Sequence, residues 1–336
     1  MIVTNSLTGG GAERSMNLVS NELTFRGWPV ALVPINESES DLITPRCEVF
    51  PLDRKWQGSV FGTFLSFLKF IAIVRSWKPD VLVLNCDLPE LYGAFLPKKL
   101  NIVIVEHTSH AWFSRMSIGK MIRRTLRFRQ AKWVAVSSHL RIWPGGDLPS
   151  KVLQNSLTPS LEVIQRSGVN SGLKRLIYIG RLSPEKQPKW MLEIGHRSQT
   201  EILIIGDGSM RDLLQEEAIK KDINATFSGY VLNPWALVQQ GDLLIVPSGW
   251  EGDGLVVIEG LEKRIPLLLS DIPDFRRFGL PETNYCKTEA DFVARVNQFH
   301  EDLDQLVVSE KITKSILASR SPEVVGEAWE AFLMSI

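Results

Sequence analysis

The chain has 336 residues, which at roughly 150 residues per domain divides into two domains. Its 38 Lys plus Arg offset 38 Asp plus Glu to a formal net charge of +0, which excludes a uniformly basic nucleic-acid binder, and 44% hydrophobic with 23% charged residues excludes wholesale disorder. Cys47, Cys86 and Cys286 are odd in number and far apart; they form neither a disulfide framework nor a zinc spacing, the pattern of a reducing compartment.

The N-terminus, Met1-Ile2-Val3-Thr4-Asn5, has no basic or apolar signal region, so no signal peptide is expected. Strand patterns follow at Ile2 to Asn5, Val30 to Pro34, Val81 to Asn85, Ile102 to Glu106 and Trp133 to Ser137, rich in Val and Ile like parallel strands buried on both faces. The first is short against an average of about five or six residues and reads as a strand whose start lies upstream of Met1. Helical patterns intervene at Ala12 to Arg26, Phe61 to Trp77 and Ser117 to Gln130. The apolar stretch from Val60 to Val74 is interrupted by Lys69 and falls short of the roughly 20 residues of a membrane span. Its Phe61, Phe64, Phe67 and Phe70, at three-residue intervals, predict a core-facing helix face.

Lys120, Arg123, Arg124 and Arg127 interleave with Met121, Ile122, Leu126 and Phe128, and Lys98, Lys99, Trp112 and Phe113 precede them. Glu106 is the one acidic residue between Lys98 and Arg141. A basic amphipathic surface of this kind suits anionic headgroups or a diphosphate-linked lipid acceptor; it reads equally as a cationic helix on a soluble protein.

A turn-rich stretch from Ser156 to Gly172 marks a linker. A second series of strands follows at Arg175 to Ile179, Ile202 to Ile205, Ala225 to Phe227, Leu243 to Pro247 and Pro266 to Ser270. Helical patterns lie at Pro188 to Ser198, Met210 to Lys220, Pro234 to Gln240, Leu255 to Lys263, Glu289 to Leu306 and Pro322 to Ser335. The alternation predicts an α/β fold of two Rossmann-like, doubly wound parallel sheets facing a central cleft, with function in the loops after the strands.

Four loops carry candidate chemistry. Gly9, Gly10 and Gly11 open a helix and suit close approach to an anion such as a diphosphate, or simply a tight turn. In Gly180-Arg181-Leu182-Ser183-Pro184-Glu185-Lys186, the fork of Arg181 and the ammonium of Lys186 suit two phosphates; they read equally as solvated loop cations. Asp207 or Ser209, in Gly206-Asp207-Gly208-Ser209, is placed to cap the next helix. The most informative run is Pro247 to Glu259: a strand ends, glycines turn sharply, and an apolar helix begins near Leu255. Glu251 falls in the loop and Glu259 about one turn into the helix, both able to accept hydrogen bonds from vicinal hydroxyls. Asp302-Leu303-Asp304 mimics a metal-binding pair, but on a helix its carboxylates diverge.

These elements resemble the retaining GT-B glycosyltransferases, specifically glycosyltransferase family 4. The match runs through Gly-Gly-Ala-Glu-Arg at 10 to 14, Gly-Arg-Leu-x-x-x-Lys at 180 to 186, Gly-Asp-Gly at 206 to 208, and two Glu residues eight apart at 251 and 259. The resemblance implies an acceptor-binding domain over 1–160, a nucleotide-sugar domain over 161–320, and a C-terminal helix over 321–336 packing back toward the first domain. It implies that Arg181 and Lys186 hold the donor diphosphate, Glu259 the ribose and Glu251 the transferred sugar. Gly10, Gly11, Gly206, Gly254 and Leu255 would complete the donor site. Asp253 stands where the family commonly has an aromatic residue beside the sugar. His107, after its strand, matches the active-site histidine, with His110 a rival, and is expected to hydrogen-bond the sugar.

The activity so implied is transfer of a hexose or N-acetylhexosamine, with retention, from a UDP-sugar to a glycan or lipid-linked acceptor. The setting would be surface polysaccharide synthesis (O-antigen, capsule or lipopolysaccharide), with no metal or other cofactor, in the cytoplasm or at the inner membrane face. Rival readings are a sugar-nucleotide epimerase on the same fold and a catalytically silent binding subunit.

Overall fold

The computed structural model of the chain describes residues 1–7, 10–36, 43–54, 59–96, 100–108, 110–112, 115–157 and 172–336. Gly9, Lys98, Lys99, Phe113 and most of the expected linker, 158–171, lie outside the described residues. The chain divides into two compact units, Met1–Pro159 with Ser319–Ile336, and Ser160–Ala318.

In the first unit, β1 (Ile2–Thr4), β2 (Ala31–Pro34), β3 (Glu48–Val49), β4 (Val81–Asn85), β5 (Asn101–Glu106), β6 (Lys132–Ala135) and β7 (Lys151–Val152) form a sheet in the order β3-β2-β1-β4-β5-β6-β7. All its pairs are parallel. The helices are α1 (Gly11–Phe25), α2 (Val60–Trp77), α3 (Asp87–Ala94) and α4 (Met116–Phe128). Val81 to Asn85 and Asn101 to Glu106 pair residue for residue and are buried over nearly their whole length, which is why their sequences are apolar without alternation.

The second unit repeats the plan. β8 (Arg175–Ile179), β9 (Glu201–Ile205), β10 (Ala225–Gly229), β11 (Asp242–Val246), β12 (Leu267–Ser270) and β13 (Tyr285–Cys286) run in the order β10-β9-β8-β11-β12-β13. Its helices are α5 (Lys189–Ser198), α6 (Arg211–Lys220), α7 (Leu255–Glu262), α8 (Pro273–Arg276), α9 (Glu289–Gln298) and α10 (Glu310–Leu317). In each sheet the order reverses at one point, between β1 and β4 and between β8 and β11, and such reversals open a crevice at the strand carboxyl ends.

The last helix, α11 (Pro322–Leu333), returns to the first unit and packs on α1. Trp28 Nε1 donates to Glu330 Oε1 at 2.8 Å, and Arg26 meets Glu330 Oε2 at 3.1 Å. A side chain at Gly326 would stand 2.1 Å from Glu22 Cγ, so glycine sets how closely the two helices approach.

Several expectations need correction. Arg123 is not on the α4 surface: it is 1% exposed and ion-paired to Glu90 and Glu106, at 2.5 and 2.6 Å. Trp112 Nε1 also donates to Glu90, and Trp133 stacks under the guanidinium at 5.1 Å. The sequence hid this because Glu90 lies 33 residues away, on a short helix whose periodicity is too weak to read. Lys120, Arg124 and Arg127 are exposed, with Arg127 paired to Asp147 at 2.9 Å. The phenylalanine run on α2 is not one core face either. Phe70 is buried, whereas Phe61 and Phe64 are 60% and 55% exposed, because a three-residue step advances 300° and drifts across the helix over three intervals.

Neither Asp207 nor Ser209 caps α6; Asp207 instead accepts from the Gly208 amide and from Arg211. The pattern from Glu289 to Leu306 breaks at Gln298, and a separate 3-10 turn, Leu303–Leu306, is capped by Asp302, which accepts from the Asp304 amide at 3.2 Å.

Candidate active site

Three loops of the second unit are tied together at its switch point. The Gly180 amide bonds to Ile205 O, Leu182 N to Asp207 O, and Gly249 N to Glu185 O, all within 3.0 Å. The loop after β8 thus touches those after β9 and β11. Glycine makes this possible at Gly206, whose φ of +143° disfavours other residues and whose missing Cβ would lie 1.9 Å from Gly180 O. Beneath, Tyr178 donates to Arg181 O at 2.7 Å and anchors the turn; burial pushes its phenol well above the usual range.

Of the expected donor-site residues, the loops bring Lys186 and Glu251 into direct contact. Lys186 ends the 3-10 turn Pro184–Lys186, and its ammonium pairs with Glu251 Oε1, which also accepts from Ser248 Oγ at 3.2 Å. Arg181 is exposed on the same loop. Gly254 takes a left-handed φ of +62° and starts α7, so that Leu255 opens the helix and Glu259 falls just beyond its first turn. Trp235 Nε1 donates to Glu259 Oε2 at 2.8 Å and fixes that carboxylate.

Three supporting residues escaped the sequence reading. Asp274 Oδ2 accepts from the Glu251 amide at 2.7 Å, Arg277 pairs with Asp253 at 2.7 Å, and Trp235 orients Glu259. Asp274 and Arg277 sit beyond β12, more than 20 residues from their partners, where no spacing rule reaches. The Arg277 contact gives Asp253 a physical role, clamping the loop to α8 and the residue after it; Arg277 also donates to Asp253 O at 2.6 Å.

The first unit carries a second constellation at its own switch point. Gly10 precedes α1 and Gly11 begins it, so helix amides open where β1 ends. His107 directly follows β5, and its Nε2 lies 2.6 Å from Oδ1 of Asn85, the last residue of β4. Asn85 reaches back to Ala12 O at 3.5 Å, joining the histidine to the start of α1. Chemically, the second unit offers cations for phosphate and carboxylates for hydroxyls, and the first offers helix amides and an oriented imidazole. No group of three His, Cys, Asp or Glu suited to a metal ion occurs among the described residues.

Residues 160–310 match the family model described as "Glycosyl transferases group 1". A Campylobacter jejuni protein, GalNAc-alpha-(1->4)-GalNAc-alpha-(1->3)-diNAcBac-PP-undecaprenol alpha-1,4-N-acetyl-D-galactosaminyltransferase, is 26% identical over 271 residues, 76% of this chain and 74% of its own. A GDP-mannose:cellobiosyl-diphosphopolyprenol alpha-mannosyltransferase of Xanthomonas oryzae pv. oryzae is 26% identical over 147 residues, 43% of this chain and 38% of its own. Among solved structures, Anabaena HepE in complex with UDP and glucose superposes with a TM-score of 0.80 at 14% identity, covering 100% of this chain and 99% of that one. The lipopolysaccharide outer core galactosyltransferase WaaB superposes at 0.67 and 18% identity, covering 99% and 98%. The fold is GT-B.

Proposed function

We propose that this chain, a glycosyltransferase of the GT-B fold, belongs to the retaining family 4 and moves a hexose or N-acetylhexosamine from a UDP-sugar to a lipid-linked saccharide. The observation that carries the donor assignment is the Lys186–Glu251 pair, set among three interlocked loops at the switch point between β8 and β11. A phosphate-binding cation and a hydroxyl-binding carboxylate stand side by side there, as a sugar attached to a diphosphate requires. The lipid-linked acceptor is supported by the two bacterial relatives, both named for polyprenol-diphosphate substrates.

In this reading Arg181 and Lys186 hold the diphosphate, Glu259 takes the ribose hydroxyls, and Glu251 takes hydroxyls of the transferred sugar. His107 hydrogen-bonds the same sugar. The acceptor hydroxyl attacks the anomeric carbon on the face the diphosphate leaves. As the new C–O bond forms, the old one breaks with its electron pair going to the diphosphate, whose oxygen takes the acceptor proton. Arg181, Lys186 and the amides at the start of α7 stabilise the developing charge. Charge neutralisation falls to these side chains, so turnover persists in the presence of a chelator.

Calorimetry with UDP tests the donor site. Glu259→Ala and Arg181→Ala each weaken binding at least tenfold, consistent with about 1.5–3 kcal/mol for a hydrogen bond to a charged group. Unchanged affinity in both variants would sink the assignment. The anomer of the product, read by NMR, tests retention.

A further inference from the structure

The first unit exposes apolar surface that its fold does not use. Helix α2 turns Phe70 and Val74 to the core, yet Val60, Phe64, Leu65 and Leu68 are 46–86% exposed. Its 18 residues are apolar enough to pass, by length and composition alone, for a membrane span. Across from it, α4 exposes Met116, Ile118 and Met121 while burying Ile122 and Leu126. Between the two helices lies a groove of about 560 Å³, lined by Phe64, Phe67, Leu88, Leu91, Phe95 and Ile118. The carboxylate that reaches the groove, Asp87, accepts from the Trp112 amide at 3.1 Å.

Apart from Asp87, the charged side chains of the groove and of its two flanking helices are cations. Neither α2 nor α4 contains an acidic residue, and Arg115, which lines the groove, and Lys120 and Arg124 on α4 are all exposed. A second copy of the chain, meeting this face about a two-fold axis, would set these cations against their own images. An anionic lipid headgroup complements them, and its chains match the groove.

We propose that the α2–α4 face docks on an anionic phospholipid bilayer, with Phe64, Leu65, Leu68 and Met121 entering the acyl layer. One lipid chain seats in the groove, and Arg115, Lys120 and Arg124 meet the headgroup phosphates. This deepens the reading of a lipid-linked acceptor, on which it rests for its purpose: the first unit is held where such an acceptor resides.

The test is co-sedimentation of the full chain with phosphatidylcholine vesicles, with and without phosphatidylglycerol. Wild type sediments with the phosphatidylglycerol vesicles and at least tenfold less with neutral ones. Phe64→Glu/Met121→Glu abolishes sedimentation, and Lys120→Glu/Arg124→Glu lowers it at least tenfold, both with unchanged Tm because these side chains are exposed. Absence of wild-type sedimentation, wild-type sedimentation by Phe64→Glu/Met121→Glu, or a dimer in light scattering that this variant dissolves would each overturn the proposal. Because the UDP titration is read at Arg181 and Glu259 of the second unit, failure of donor binding and failure of docking are told apart.

Discussion

Asn85 Oδ1 lies 2.6 Å from His107 Nε2, and the rest of the asparagine amide fixes what that contact means. Its Nδ2 faces Thr4 Oγ1 and the carbonyl of Ala12, and a carbonyl can only accept, so the NH2 points there and Oδ1 points to the imidazole. Nε2 therefore carries a hydrogen, and in the neutral ring Nδ1 is the acceptor. Asn85 is fully buried, so the ring inherits its position from the β4 terminus rather than from solvent.

Asn85→Leu removes the acceptor and is expected to lower kcat roughly 10- to 100-fold, the cost of a misplaced reacting group, with KM for the donor within about twofold. Asn85→Asp keeps an acceptor and adds a charge that favours the imidazolium. It should recover part of the kcat lost in Asn85→Leu and move the histidine limb of the pH profile upward, at a cost in stability because its second oxygen then faces the Ala12 carbonyl. A merely structural Asn85 would leave that limb where it is.

The Lys186–Glu251 pair separates binding from turnover. Lys186→Ala removes a phosphate cation and takes the ammonium away from the Glu251 carboxylate, so UDP affinity is expected to fall at least tenfold. Glu251→Gln keeps the size of the side chain and removes its charge. If Glu251 serves the sugar, that variant holds UDP within about threefold of wild type and loses at least tenfold in kcat. Equal loss of UDP affinity in both variants would reassign Glu251 to the nucleotide.

At Gly206 the expected effect is on the loops themselves. A Cβ there meets backbone, the carbonyl of Gly180, rather than a side chain that can swing away. Gly206→Ala should cost roughly 1–3 kcal/mol in urea unfolding and weaken UDP binding, because the displaced loop carries Arg181 and Lys186. Gly146→Ala is a useful control: its φ is also positive, at +77°, but nothing lies within 4 Å of the added Cβ.

How far the sequence reached depends on how local each determinant is. Strands β4, β5, β8, β9, β11 and β12 are legible because burial on both faces leaves uninterrupted Val, Ile and Leu runs. Two-residue strands such as β3, β7 and β13 carry no period, and α3 is short and contains Pro89. The motif residues Lys186, Glu251 and Glu259 are legible as chemistry, but Asn85, Asp274, Arg277 and Trp235 act through contacts 22 to 24 residues away. Arg123 shows the converse. Its neighbours in sequence are surface cations, and only the fold brings two carboxylates to it.

That burial makes a sharp prediction. Arg123→Ala strands Glu90 and Glu106 in the core and should cost roughly 3–5 kcal/mol, while Arg124→Ala, one residue on and exposed, stays within about 0.5 kcal/mol. Chemical denaturation of the two variants side by side checks it, and equal costs would place Arg123 on the surface after all.

The same cluster sets a pH dependence. Burial pushes the Glu106 carboxyl from an ordinary value of 4.5 up to about 7, with Arg123 pulling it down and Glu90 and Asp87 adding to the rise. Burial opposes the charge on Arg123 too, but Glu90 and Glu106 together raise it above the usual guanidinium value. Between about 4.5 and 7 the folded chain therefore binds a proton at Glu106 that the unfolded chain does not, and the contribution of Glu106 to stability falls as pH rises through that window. Asp207, Asp271, Glu310 and Glu330 are shifted downward and act with the opposite sign, but below about pH 4.5, outside the window. The Met1 amino group, pushed by burial from 8.0 down to about 5, acts with the opposite sign between pH 5 and 8, so Glu106 is read from a difference: in urea unfolding, wild-type stability should fall relative to Glu106→Gln as pH rises from 5 to 7. A slope untouched by the substitution would mean that Glu106 stays ionised beside Arg123 across the whole range.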